Sequence, residues 1–321
     1  MDKKIRKVNE IPASVGLIGV GLVGTALADR FLANDITVIG YDVDDDRLDN
    51  LERMGGCRAD NPGEIAQSVS HVVLSLPDSS VVREVIEEPD GILGSQKKPA
   101  YIIDTTTGDP EETIELAQRL AKQNISFLDA TICGASSQIQ KGEGVFMVGG
   151  ESAAYEDCCS LLHLMAKQIF YVGPSGSGSK AKLATNLVLG LNRLVLAEGM
   201  VLAEKLGLPL ETFLEILKVS PAYSAAVDVK GEKMLKSDFT PVSRIHQHYK
   251  DVSLILKYAR NQHQDLPLSQ IHHDILEKVM KAGDRDLDSS AVIKEIRRRT
   301  IKDIYPKQSK GRRSYECAKK S

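Results

Sequence analysis

Two side chains with complementary chemistry lie at the start of a long apolar segment. Lys182 and Asn186 follow the glycine-rich stretch GSGS at 176–179 and are four residues apart, so a helix presents them on one face. A lysine amine there could take a proton from a substrate oxygen, and the resulting ammonium could return it. Asn186 could hold the same oxygen or orient the ammonium. The alternative is a solvated lysine pair, Lys180 and Lys182, although the helix dipole disfavours cations at that end.

A second glycine-rich turn, GVGLVG at 19–24, follows a short apolar run and precedes a helical pattern. That context is typical of a dinucleotide-binding fingerprint, whereas the bare pattern could be an ordinary glycine turn. Gly19 permits a tight turn, Gly21 lets a pyrophosphate approach the backbone, and Gly24 allows close packing of helix on strand. The residues expected to contact the cofactor here are Gly19, Val20, Gly21, Leu22 and Val23.

Asp42 ends the next apolar run, about 20 residues after the glycines, where a carboxylate can accept bonds from the adenosine ribose hydroxyls. Three more aspartates follow at 44–46, with Arg47 as the nearby cation. A 2′-phosphate would face several negative charges, so Asp42 favours NAD over NADP. At least two of the three following aspartates are expected to serve as a loop and helix cap.

Alternating short apolar runs and helical stretches in the first half predict an α/β fold with a mostly parallel sheet covered on both faces. The runs are 15–20, 36–42, 71–77, 100–106, 125–130, 145–150 and 168–173. From residue 180 to about 299 helical periodicity dominates. We therefore expect a Rossmann dinucleotide-binding domain at 1–177, and an all-helical domain at 178–300 led by a long interdomain helix. A basic, disordered tail is expected at 301–321.

Composition narrows the classes of function. The 321 residues carry a formal charge of −3, which indicates no general attraction to nucleic acid or membrane. The five cysteines are scattered and form no C-x-x-C, which argues for reduced thiols in the cytoplasm. The N-terminal residues show no secretory signal pattern. Histidines 246, 248, 272 and 273 lack a convincing acidic partner, so we expect solvated helix histidines and no metal site.

Several motifs in this order resemble those of the β-hydroxyacid dehydrogenase family, which includes 3-hydroxyisobutyrate dehydrogenase and tartronate semialdehyde reductases. The likeness extends from about residue 15 to about residue 297. The motifs are the glycine fingerprint, LP at 76–77, DTTT at 104–107, the segment from 129 to 150, GSGSKAKLATN at 176–186 and HYKD at 248–251. The resemblance implies that Lys182 is the catalytic acid/base with Asn186 as its partner. It also implies that Leu76, Pro77, Thr107 and Lys250 contact the cofactor.

The substrate loop departs from the family pattern. Where the family usually has Asp-x-Pro-Val-Ser-Gly-Gly, this chain has DATICGA at 129–135, so Cys133 replaces the serine that bonds a substrate carboxylate. A thiol is a weaker donor, and capture of the carboxylate would depend on the backbone of Gly134 and Ala135. The change predicts retained chemistry with an unusual substrate. The alternatives are a noncatalytic nucleotide-binding or scaffold protein, and an imine reductase-like enzyme, which commonly lacks the lysine.

The expected function is hydride transfer between a nicotinamide cofactor and a small 3-hydroxy acid or its semialdehyde. The long segment from about 181 to 206 has more apolar surface than one small domain covers, which predicts a homodimer or homotetramer. We expect a cytoplasmic protein with no nucleic acid or membrane partner.

Overall fold

The structure is a computed structural model, and it describes residues 11–134 and 136–299. Ala135 of the substrate loop and the predicted tail at 301–321 lie outside the described residues. The fold consists of two compact units. The first unit contains Met1–Val188 and Lys250–Leu266, and the second contains Leu189–Tyr249 and Pro267–Ser321.

The first unit is built on an eight-stranded sheet with the order β3-β2-β1-β4-β5-β6-β7-β8. All neighbouring strands are parallel except β6 and β7. The strands are β1 (Ser14–Ile18), β2 (Thr37–Tyr41), β3 (Cys57–Arg58), β4 (His71–Leu74), β5 (Tyr101–Asp104), β6 (Ser126–Cys133), β7 (Val145–Gly149) and β8 (Gln168–Gly173). All seven predicted strands are confirmed. The sequence missed β3, whose two exposed residues carry no apolar pattern.

Seven helices of the first unit precede the long one, and they bury apolar side chains against both faces of the sheet. One core cluster joins Leu17 and Val73 to residues of the first and seventh helices, and the other joins Ile18 and Val72 to residues of the third to fifth. The seven helices are α1 (Leu22–Leu32), α2 (Asp45–Arg53), α3 (Pro62–Ser68), α4 (Ser79–Glu87), α5 (Pro110–Ala121), α6 (Ser136–Gln140) and α7 (Ser152–Met165). Coverage on both faces is the reason for continuous rather than alternating apolar strands.

The remaining helices follow the 176–179 turn. They are α8 (Ser177–Lys205), α9 (Leu210–Val219), α10 (Glu232–Lys236), α11 (Ile245–Asn261), α12 (Pro267–Lys281) and α13 (Val292–Arg298), with a π-helical turn at Val227–Gly231. Within the described part of 180–299 there is no strand, only an isolated bridge between Arg244 and Asp288. The predicted class, a Rossmann domain followed by an all-helical part, is confirmed.

A buried ion pair lies within the second unit. Lys230 Nζ donates to both carboxylate oxygens of Asp288, at 2.8 and 2.9 Å, and backbone N–H groups of Val242 and Ser243 donate to the same carboxylate. Burial alone would raise the pKa of Asp288, but these bonds hold it well below its usual range. The pair therefore joins the π-helical turn to the chain before α11 and after α12.

The prediction of solvated histidines is wrong for two of the four. His248 and His272 are buried in the second unit with ring centroids 5.0 Å apart. They pack where Gly190 of α8 has no side chain, since a Cβ there would lie 2.5 Å from His248 Nε2. Burial, aided by the charge of Arg193, lowers the pKa of His272 to about 4. Within 11–134 and 136–299, no group of three or more potential ligands could hold a metal ion.

Helix α8 is long and apolar enough to cross a membrane by length and composition alone. This is weak evidence, because core helices of soluble proteins meet the same criterion, and 44% of its apolar window is buried within the fold. Val188, Val195 and Leu202 of this helix are exposed and recur every seven residues, so they form one apolar stripe.

Candidate active site

The glycine turn after β1 has the geometry that the fingerprint predicts. Gly19 has a φ of +91°, which a side chain would disfavour, and its N–H donates to Tyr41 O at 2.9 Å. A Cβ on Gly24 would lie 2.0 Å from Gly19 O. The turn therefore requires glycine at both positions, and α1 begins directly against the end of β1.

The start of α1 differs from the starts of the four helices that follow it. Asp44, Asn61, Asp78 and Asp109 cap α2 to α5 with side-chain oxygens. Helix α1 has Gly21 at its N-cap, no side-chain cap and no acidic residue in its first turn. Free N–H groups and the positive end of the helix dipole suit an anion such as a pyrophosphate. Leu22, which is 63% exposed, opens this helix beside Val23.

Asp42 is fixed to the glycine turn. Its Oδ2 accepts from Val20 N at 2.7 Å, and its Oδ1 accepts from Asp44 N at 3.1 Å. Arg47 lies 3.3 Å from Asp42 and 3.2 Å from Asp44, so its charge is paired with both carboxylates. Asp44 is the N-cap of α2, as expected of one member of the aspartate run. The carboxylate is thus oriented beside the α1 N-terminus, where a ribose would lie.

The cofactor-side turns after β4 and β5 meet at one lysine. Lys250 Nζ donates to Pro77 O at 2.8 Å and to Thr107 O at 2.9 Å. Leu76 N donates to Thr106 Oγ1 at 3.1 Å, which joins the two turns directly. Both turns lie at the carboxyl ends of β4 and β5, next to the reversal of strand order between β1 and β4. Ligands of open α/β sheets bind at such a reversal.

Lys182 and Asn186 are both buried on the first turns of α8, with 8% and 5% exposure. Asn186 Nδ2 donates to Asp251 Oδ2 at 2.9 Å. Burial raises the pKa of the Asp251 carboxyl, and the nearby charges of Lys250 and Lys182 oppose that rise. Asp251 is therefore near enough to both lysines for their charges to act on it, and its Oδ1 lies 3.6 Å from Lys250 Nζ. No role was predicted for it from the sequence, although its position directly after Lys250 was the available signal.

A buried carboxylate from another strand anchors the start of α8. Asp129 of β6 accepts from Gly176 N at 2.9 Å and from Ser179 N at 2.8 Å. Thr131 Oγ1 donates to Gly178 O at 2.9 Å, and a Cβ on Gly178 would lie 2.1 Å from Asp129 O. The glycines and serines at 176–179 therefore let α8 begin against β6, which places Lys182 and Asn186. No role for Asp129 was predicted from the sequence.

Cys133 is the last residue of β6 and is partly exposed. Side chains at 129, 131 and 133 share one face of a strand, and the first two contact the start of α8. Cys133 therefore lies on the sheet face against which α8 begins. Gly134 follows it and is exposed.

Two family models match the chain. Residues 14–173 match the NAD binding domain of 6-phosphogluconate dehydrogenase. Residues 176–296 match a domain described as NAD-binding of NADP-dependent 3-hydroxyisobutyrate dehydrogenase. The two matches meet at the turn that precedes α8.

Known proteins share nearly the whole chain. A 2-(hydroxymethyl)glutarate dehydrogenase of Eubacterium barkeri is 31% identical over 281 residues, which are 87% of this chain and 93% of that protein. A crystal structure of 3-hydroxyisobutyrate dehydrogenase from Salmonella typhimurium is 27% identical with a TM-score of 0.82, covering 88% of this chain and 99% of that chain. An imine reductase from Pseudomonas sp. is 20% identical with a TM-score of 0.62, over 89% of this chain and all of that one, a likeness of fold alone. The chain belongs to the β-hydroxyacid dehydrogenase family of NAD(P)-dependent oxidoreductases.

Proposed function

We propose that this enzyme transfers hydride between a nicotinamide cofactor and a small 3-hydroxy acid or its semialdehyde, with Lys182 as the general acid/base. One observation carries the proposal. The buried Lys182 and Asn186 lie on a helix face whose partner, Asp251, adjoins the lysine that holds the two cofactor-side turns. A proton-transfer group and a cofactor-holding group are thereby joined through one carboxylate.

The residues at the carboxyl ends of β1, β2, β4 and β5 fit a dinucleotide. The uncapped N-terminus of α1 would receive its pyrophosphate, Asp42 its ribose hydroxyls, and Leu76, Pro77, Thr107 and Lys250 its nicotinamide half. When bound, this group accepts a hydride in oxidation and supplies one in reduction. We propose NAD as the preferred form, because Asp42 would repel a 2′-phosphate and already holds Arg47.

Lys182 would handle the proton that accompanies the hydride. In oxidation its neutral amine takes the hydroxyl proton, and in reduction its ammonium returns a proton to the carbonyl oxygen. Asn186 is fixed by its bond to Asp251 and so presents its carbonyl oxygen in one orientation.

The substrate carboxylate would be held at the end of β6, by the backbone N–H groups of Gly134 and Ala135 and by the Cys133 thiol. A thiol in place of a hydroxyl weakens one bond to the carboxylate and makes the loop less polar. We therefore expect a substrate different from 3-hydroxyisobutyrate. The name of the Eubacterium barkeri relative makes 2-(hydroxymethyl)glutarate one acid to test.

The test is nicotinamide reduction by the purified protein across a panel of 3-hydroxy acids, with NAD and NADP in parallel. Lys182→Ala should lower kcat by about 10²-fold to 10⁴-fold, the usual contribution of general acid–base catalysis. Lys180→Ala, which removes an exposed lysine two residues earlier, is the matched control and should retain activity. Cofactor binding with no turnover on any acid would instead support the noncatalytic alternative. Better turnover with NADP would reject the assignment of Asp42.

Three further expectations remain part of this proposal. We propose a soluble cytoplasmic protein with a domain boundary near residue 177. We also propose a homodimer or homotetramer in which a second copy covers the exposed stripe of α8, defined by Val188, Val195 and Leu202. A monomeric mass in solution at micromolar concentration would reject the oligomer.

A further inference from the structure

A buried carboxylate outside the predicted site joins α11 to the loop after β5. Asp109 is 6% exposed and caps α5 by accepting from Glu111 N at 3.0 Å. Lys257 Nζ donates to its Oδ2 at 2.6 Å, and the Tyr258 hydroxyl donates to its Oδ1. The Tyr258 hydroxyl also accepts from Glu111 N at 2.9 Å. These three residues, Asp109, Lys257 and Tyr258, are called the α11 clamp below.

The clamp combines one carboxylate acceptor, Asp109, with donor groups on Lys257 and Tyr258. Burial alone would raise the pKa of Asp109, but the bonds from Lys257, Tyr258 and Glu111 N lower it below its usual value. Conversely, burial and the bond to Asp109 raise the pKa of Tyr258, so its hydroxyl stays protonated as a donor. Asp109 is thus a charged acceptor with donors on both oxygens. Such charge-assisted bonds are roughly twice as strong as neutral ones.

The clamp and the cofactor-side lysine act on the same two segments. Lys257 and Tyr258 follow Lys250 by seven and eight residues, which is about two turns of α11. Lys250 Nζ donates to Thr107 O. Lys257 Nζ donates to Asp109, which lies two residues further along the same loop. The loop is also tied to the start of α4, since Asp109 N donates to Ser79 Oγ at 2.7 Å. Helix α11 is therefore attached at two points to the turns that Lys250 joins.

We propose that Asp109, Lys257 and Tyr258 are positioning residues that hold Lys250 on the Pro77 and Thr107 carbonyls, and so set the affinity for the dinucleotide. The inference rests on the proposed cofactor function. Without the clamp, the attachment of α11 to the loop after β5 would depend on Lys250, while the Asn186–Asp251 bond holds this helix to α8. The clamp adds its bonds to that loop before the cofactor arrives, and a preorganised site binds more tightly.

The experiment measures the Kd for NADH by titrating its own nicotinamide fluorescence, because the chain contains no tryptophan. The variants are Lys257→Met with Tyr258→Phe, Lys250→Ala, and the triple variant. The double variant should raise Kd about tenfold, equivalent to about 1.4 kcal/mol. The triple variant should bind no more weakly than Lys250→Ala, because the clamp acts through Lys250. Arg260→Met, which removes an exposed cation from the same helix, should bind as the wild type does.

A purely structural clamp would lower Tm while leaving Kd unchanged, and that result would overturn the proposal. Additive effects in the triple variant would overturn it as well, because the clamp would then act independently of Lys250. If the wild-type protein binds neither NADH nor NADPH, the proposed cofactor function is rejected and the clamp proposal with it. Tight wild-type binding with an unaffected double variant rejects the clamp alone.

Discussion

Two helices that carry the candidate site, α1 and α8, begin at glycine-rich turns, but their N-termini differ in whether a side chain of the protein bonds their N–H groups. Helix α1 begins with Gly21 at its N-cap and no side chain on its free N–H groups. The turn before α8 is bonded by the buried carboxylate of Asp129, which comes from a strand about 50 residues earlier. Similar glycine-rich sequences therefore give two different helix starts. The N-terminus of α1 suits a bound anion, whereas that of α8 is bonded by a carboxylate of the protein itself.

The first kind of helix start suits the binding of a ligand, and the second positions the side chains of its own helix. An open N-terminus offers its dipole and N–H groups to a ligand, and it remains unsatisfied by side chains until that ligand binds. A closed N-terminus fixes the axis and rotation of its helix, and so directs Lys182 and Asn186. Glycine has a different use in each case. At α1 it leaves the helix start without a capping side chain, and at α8 it lets the helix start lie against β6.

The largest effect is expected from adding a capping side chain at the N-terminus of α1. Gly21→Asp introduces an N-cap side chain at a position with extended backbone and only the Arg47 side chain nearby. We expect the unliganded protein to gain a few tenths of a kcal/mol from the new cap. The same carboxylate should repel the pyrophosphate and raise the Kd for NADH by at least about 100-fold, or 2.7 kcal/mol. Urea unfolding and NADH titration measure the two effects. Undiminished NADH affinity would show that α1 does not bind the phosphates.

A smaller effect is expected from weakening the bonds between Asp129 and the start of α8. Asp129→Asn replaces one of two acceptor oxygens with an NH₂ group that faces a backbone N–H. We expect a loss of about 1–3 kcal/mol in the free energy of unfolding, the usual cost of a buried polar group left unpaired. The shift of Lys182 should lower kcat about tenfold, with little change in the Kd for NADH.

Urea unfolding and steady-state kinetics on the best substrate check this second prediction. Asp46→Asn, at an exposed acidic position near the start of α2, is its control. A drop in NADH affinity without any loss of kcat would contradict the assignment of Asp129 to the catalytic helix.

The third prediction concerns the pH dependence of stability. Asp104 pairs in register with Asp129, and burial, with a contribution from the Asp129 charge, raises its pKa from 3.8 to about 7. A raised pKa stabilises the fold fully below about pH 4, and this contribution is lost as the pH rises through about 7. Asp104→Asn should therefore gain stability relative to the wild type over this range, by at most about 1.4 kcal/mol per pH unit. A difference that does not vary from pH 4 to pH 8 in urea unfolding would show that Asp104 does not titrate there.

Much of the fold was predictable because it depends on local patterns. Seven continuous apolar runs predicted seven strands. The fingerprint at 19–24 predicted its own turn, since each glycine requirement arises within one β–α unit. The histidine prediction failed for His248 and His272 because their burial depends on Gly190, nearly 60 residues before the first of them.

The sequence by itself determined the kinds of groups available: a glycine turn with Asp42, a lysine and an asparagine on one helix face, and Cys133 in the substrate loop. Those features depend on residue type and short spacing, which the chain carries in any conformation. Only the tertiary structure decided that Asp129 anchors α8, that Asp251 accepts a bond from Asn186, and that Asp109 holds α11. Each of these links joins residues distant in sequence, and their approach depends on strand order and helix packing, which no local pattern specifies.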